Sequence, residues 1–129
     1  MITYIREYNF QDVVSSIRYL LNKSALDEGV RQLASEISIS SDDPISGIHS
    51  WVRQNFAYVP DPYNRELLIS PIKIVNDYRN NIVIEGDCDD HALLTTALLR
   101  SIGINAHLVI LDTKGQSWDH AVVEAYSEK

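Results

Sequence analysis

A single cysteine in 129 residues excludes an intrachain disulfide, so the fold does not depend on an oxidising compartment. Basic residues are scarce as well. Eleven Lys and Arg against 18 Asp and Glu leave a net charge of −7, which argues against an electrostatic grip on nucleic acid or anionic lipid. No run of about eighteen apolar residues is present that could span a bilayer. The N-terminal "MITYIREYNF" reaches charge at Arg6 and Glu7 without forming an apolar signal core. The length suits one domain over residues 1–129 that buries its core without staples. The expectation is a soluble, cytoplasmic chain that engages neither nucleic acid nor membrane.

What is present begins with helical periodicity. Asn9 can cap a helix carrying Phe10, Val13, Val14, Ile17, Leu20 and Leu21 on one stripe. Ser24 is placed to cap a second, with Leu26, Val30, Leu33, Ala34 and Ile37. Asp42 or Asp43 before Pro44 opens a third, through Ile45, Ile48, Val52 and Phe56. The stretch from Tyr58 to Tyr63 holds two alternate prolines and reads as irregular. Ser70-Pro71 starts a short helix that ends before Asn80. A helix over 88–102 stops at Gly103, and two antiparallel strands follow, "AHLVIL" and "WDHAVVEAY". Period two puts His120, Val122, Glu124 and Tyr126 on one face and Ala121, Val123 and Ala125 on the other. The fold class is α+β: N-terminal helices, a buried helix starting at the cysteine, then a small antiparallel sheet.

The one thiol stands in "EGDCDDHALL". Gly86 allows a sharp turn and Asp87 can cap a helix that begins at Cys88, placing the sulfur where helix-terminal N–H groups favour an anion. That environment lowers thiol pKa values, although Asp89 and Asp90 oppose a nearby negative charge. The N–H of Cys88 can also donate to an oxyanion. His120, on the following sheet, is the best candidate base. His91 and His107 read as surface or packing residues, His49 sits in a helix and carries no signal, and Trp51 and Trp118 read as core or cleft-rim aromatics.

Together, "GDCDDHALLTTALLRSIGINAHLVI" and "DHAVVEAY" resemble the core of the transglutaminase-like superfamily of papain-like cysteine enzymes. "IHSWVRQNFAYVPDP" is similar to that family's lead-in helix and tyrosine-containing loop. A further resemblance is to short transglutaminase-like proteins encoded among phage structural genes. The family likeness implies Cys88 as nucleophile and His120 as its general base, and it matches Tyr58 to the loop tyrosine, a candidate for the oxyanion site or cleft. The family's third member, an Asp or Asn on the strand after the histidine strand, has no match. Glu124 lies about 13 Å along the strand from His120, and Asp119 should face the other way. Asp112 near the hairpin turn comes close only if the register allows it; otherwise the enzyme works as a dyad, takes a replacement from elsewhere, or is weak.

Two functions follow. One is cysteine-dependent acyl transfer, or amide and peptide hydrolysis, through a thioester on Cys88, with no cofactor or metal, on a protein or peptide substrate bearing a carboxamide or amide bond. The other is a catalytically weak binding or structural module, associated with phage structural proteins. A variant of this module uses Cys88, Asp90, His91 and His120 as metal ligands, although the second Cys pair of a structural zinc site is missing.

Overall fold

The computed structural model describes residues 2–5, 10–59, 66–111 and 120–126. Strand β1 (Ile2–Ile5) precedes helices α1 (Phe10–Ala25), α2 (Glu28–Ile39) and α3 (Pro44–Asn55). Strands β2 (Phe56–Tyr58) and β3 (Glu66–Ile69) lead to α4 (Pro71–Arg79), β4 (Ile84–Gly86) and α5 (Cys88–Ser101). The hairpin strands β5 (Asn105–Leu111) and β6 (His120–Tyr126) follow. The architecture is therefore α+β, with the cysteine at the first position of α5.

Helix α5 sets the layering. Every residue from Ala92 to Leu99 is buried, including Thr95 and Thr96, the signature of a helix enclosed on all sides. The two threonine hydroxyls donate back to His91 and Ala92 carbonyls at 2.9 and 2.7 Å, so their burial leaves no polar atom unpaired. Around α5 pack α1 through Val13, Ile17, Leu20 and Leu21, α2 through Val30, Leu33 and Ile37, and α3 through Ile48 and Val52. The inner face of the hairpin closes the remaining side with Ala106, Leu108, Ile110, Val123 and Ala125.

Among the described residues the strands form three pairs. β5 and β6 run antiparallel, with Leu111 opposite His120 and Val109 opposite Val122. β1 and β3 are antiparallel, with Ile2 opposite Ile69. β2 and β4 are parallel, with Tyr58 opposite Gly86. The last two pairs are absent from the sequence expectation, because strands of three or four residues carry too little periodicity to register. The alternation expected of β6 holds. Ala121 is buried and Val123 packs on the core, while His120, Glu124 and Tyr126 are exposed.

Two helix boundaries differ from expectation for physical reasons. Ser24 is not a cap but lies inside α1, fully buried, and the cap of α2 is Asp27, whose carboxylate accepts from the Val30 N–H at 3.1 Å. Leu26 sits in the connection and is 88% exposed. Phe56 is the first residue of β2 rather than the last of α3, though it is buried as its apolar character demands. Pro44 and Pro71 occupy first-turn positions of α3 and α4, behind Asp43 and Ser70 as caps. Asn9 and Trp118 lie outside the described residues. Among the described residues no helix is long and apolar enough to cross a membrane.

Candidate active site

The site is built at the start of α5, where four successive residues have distinct physical tasks. Asp87 is the N-cap, and its Oδ1 accepts from the N–H groups of Asp89 and Asp90 at 3.1 and 3.3 Å. Asp90 returns the interaction, with Oδ2 accepting from the Asp87 N–H at 3.1 Å. This is a capping box in which aspartates take both roles. The second oxygen of Asp90 accepts from the Ile69 N–H at 2.9 Å, tying β3 to the beginning of α5. Burial first, and the Asp87 charge second, push the Asp90 carboxyl up to about 8. Two of the three acids around the thiol are thus structural.

Gly86 serves this arrangement differently from the expected sharp turn. Gly103 is the described glycine with a positive φ, and Gly86 is not one. A Cβ on Gly86 would lie 2.6 Å from Asp90 Oδ2 and 2.9 Å from Phe56 Cζ. Glycine is required because the capping carboxylate and an aromatic ring close on the backbone.

Cys88, half-buried, is the first residue of the helix. Its thiol contacts Asp89 Oδ1 at 3.9 Å, and Asp89 is itself buried. Burial and then the Asp89 charge push the thiol up to about 11, against the backbone N–H groups of Ala121 and of Cys88 itself, which lie at the sulfur and pull it down. The direction is opposite to the one expected of the helix terminus alone and is the one expected of the neighbouring acids. Desolvation and the Asp89 and Asp87 carboxylates outweigh the helix-end N–H groups, two of which Asp87 has already taken.

His120 opens β6 one residue before the Ala121 N–H that meets the sulfur. Cys88 and His120 line one cavity of about 470 Å³, together with Tyr58, His49 and His91. Tyr58 comes from β2 and is 67% exposed. The structure therefore brings Cys88, His120 and Tyr58 around one space. Asp112, the candidate third residue, lies outside the described residues, as does Asp119. Leu111, the residue before Asp112, is the ladder partner of His120.

Two histidines to which the sequence gives no catalytic role also reach this cavity. His91 follows Cys88 by three, which puts both on one helix face; that spacing was the available signal. Its ring meets Phe56 edge-on, with centroids 5.4 Å apart. Burial, followed by the charges of His49 and Arg53, holds His91 below the usual imidazole range. His49 comes from α3, and nothing local in the sequence marks it.

The metal-ligand set of Cys88, Asp90, His91 and His120 does not assemble. Asp90 is turned to the backbone of Ile69 and Asp87. Among the described residues no group of three or more His, Cys, Asp or Glu side chains is placed to hold an ion. A roomier cleft of about 590 Å³ lies between α2 and α3, beside Trp51, Tyr78, Glu36 and Asp43, but neither Cys nor His is among the residues lining it. Chemistry rather than volume selects the Cys88 cavity.

No curated protein matches the chain. Among solved structures, the fold is similar to that of a Cytophaga hutchinsonii protein named "Putative Cysteine Protease", with a TM-score of 0.57 and 21% sequence identity. The match covers 97% of this chain but 45% of the other, so the chain spans less than half of that protein's length. The model of the transglutaminase-like superfamily matches residues 27–129, from the cap of α2 through the cysteine helix and the histidine strand. The chain belongs to the transglutaminase-like superfamily.

Proposed function

We propose that this protein is a cysteine-dependent acyl-transfer enzyme acting on a carboxamide or peptide bond, with Cys88 as nucleophile and His120 as general acid and base. The observation that carries this reading is the shared cavity: a thiol at a helix start and the imidazole of the neighbouring strand face one space. Because the resting thiol is pushed up to about 11, it rests protonated, and attack must be coupled to proton transfer. Sulfur adds to the carbonyl carbon while its proton passes to His120. The N–H of Cys88 donates to the oxyanion, with Tyr58 at the cavity rim as a second candidate donor. On collapse the C–N bond breaks and the leaving amine takes the proton from His120. Water or a second amine, deprotonated by His120, then attacks the thioester and restores the thiol. Asp112 is the candidate for orienting the imidazole.

A second reading, a transglutaminase-like binding module with little rate, is favoured by one observation, the raised thiol pKa. One experiment separates the two. The protein is incubated with peptidyl amides and glutamine-containing peptides, quenched in acid and weighed intact. The enzyme reading expects an acyl adduct on Cys88 that is absent from Cys88→Ala. Absence of any adduct across the panel, with the protein folded, selects the module.

A further inference from the structure

The wall of the Cys88 cavity contributed by α3 and α5 differs in charge from the rest of the molecule. Acids outnumber Lys and Arg by 18 to 11 along the chain, yet none of the described residues lining this cavity is an acid. His49 and His91 stand there instead. Arg53 follows His49 by four on α3, which puts the two side chains on one helix face, and both residues act electrostatically on His91. Two of the three carboxylates closest in sequence to the thiol are committed to the helix cap. Asp87 and Asp90 cap α5, and Asp89 is buried against the sulfur. His49 and Arg53 are exposed, so the imidazole and the guanidinium are both accessible to an incoming group. The edge-on contact with Phe56 fixes the ring of His91.

We propose that His49, His91 and Arg53 form a subsite for a carboxylate, so that the substrate carries an acidic side chain beside the amide attacked by Cys88. This rests on the acyl-transfer reading for its catalytic consequence, but not for binding. A carboxylate at this wall accepts from a His91 ring N–H and faces the positive charge of Arg53, with His49 beside it. Such charge-assisted bonds are stronger than those an uncharged amide can make. The neutral resting thiol does not repel the carboxylate, whereas a thiolate would. Acidic peptides are thereby distinguished from their amide isosteres at a site whose remaining walls, Ala92, Thr95, Val122 and Val123, are uncharged.

The test uses two peptidyl amides that differ only in Glu or Gln next to the scissile bond. The expected preference for Glu is about tenfold in kcat/KM, equivalent to one good charge-assisted contact. In the His49→Gln, Arg53→Gln double variant, and to a lesser degree in Arg53→Gln alone, the ratio between the two substrates should fall toward one. Both residues are exposed, so the fold should survive. Binding of the same peptides to Cys88→Ala, followed by fluorescence anisotropy, separates this proposal from the chemistry. A Glu preference in binding sustains the subsite even where no turnover is found with either peptide. Equal affinity for Glu and Gln peptides, or binding of neither, overturns it.

Discussion

The two ends of helix α5 solve the same problem with opposite means. At the C-terminal end, Gly103 takes a φ of +84° and its N–H donates to the Arg100 carbonyl at 3.0 Å, while the Ile104 N–H donates to Leu99 at 3.1 Å. The Schellman bonds themselves are backbone to backbone, and two side chains add to them: the Ser101 hydroxyl donates to the Leu98 carbonyl at 2.7 Å, and Arg100 reaches across to the Ala106 carbonyl at 2.7 Å. At the N-terminal end, buried carboxylates perform the closure, a glycine is needed for contact rather than conformation, and the cysteine sits among acids that raise its pKa. The C-terminal end is cheap and local. The N-terminal end stores buried charge, which is tolerated where a site has to be held in place.

The largest effect should come from the end that bears the chemistry. His120→Ala is expected to slow acyl-enzyme formation by about 10²–10⁴-fold, the usual contribution of a positioned general base. Substitution of Arg100, at the other end, should leave that rate within about twofold, as expected of a residue outside the cavity. Quenched-flow mass spectrometry of both variants measures this, and a comparable loss from Arg100→Gln would erase the distinction between the ends.

Next in size is the reactivity of the resting thiol. With its pKa near 11, Cys88 carries about 300-fold less thiolate at pH 7 than a free cysteine near 8.5. The more basic sulfur is a better nucleophile and recovers part of this, so iodoacetamide should label the folded protein about 20-fold more slowly than a model thiol. The rate should rise with pH through 11, and Asp89→Asn should speed labelling at neutral pH. Labelling at or above the model rate would restore the activated thiolate expected from the helix terminus.

The same contrast explains what was legible in the sequence. The C-terminal stop was readable because Gly103 follows an apolar stripe, and the helix start was readable because Asp87 precedes it. The apolar face of each helix and the two faces of β6 followed from period alone. The capping role of Asp90 was not readable, since its partners are the backbone of Asp87 and of Ile69, twenty-one residues upstream. Nor was the raised thiol, because whether helix-end N–H groups or a buried Asp89 wins depends on desolvation, a property of the packed core. His49 enters the cavity only through the packing of α3 on α5. Ser24 was misassigned because a serine before an acidic stretch looks the same inside a final helical turn as at a cap.

Stability separates the ends by a smaller margin. Asp90→Ala strands the Ile69 and Asp87 N–H groups, at a net cost of about 2 kcal/mol. Asp90 also imposes a pH dependence whose sign is fixed. Its folded pKa, about 8, lies above the unfolded value of about 3.9, so its contribution is complete below pH 4 and is lost as pH rises toward 8. Asp90→Asn should flatten that slope in melting temperatures taken between pH 5 and 9. Gly86→Ala should cost about 1–3 kcal/mol, because its Cβ meets Asp90 and Phe56 and one of them must move. A Gly86→Ala protein as stable as the parent would mean that the contact relaxes freely.

The smallest expected effect belongs to Gly103. Nothing lies within 4 Å of a Cβ built there, so an alanine meets no neighbour. The whole penalty comes from holding an L-residue at a φ of +84°, roughly 1 kcal/mol. That corresponds to a fall of about 4 °C in melting temperature for a domain of this size. Asparagine enters the left-handed region more readily than alanine, so Gly103→Asn should lose less. The ranking Gly > Asn > Ala at 103 is a backbone signature. At 86, where space is the constraint, Asn should be worse than Ala because it is larger. Thermal melts of the four variants test both orders, and the same ranking at the two glycines would show that they are needed for one reason rather than two.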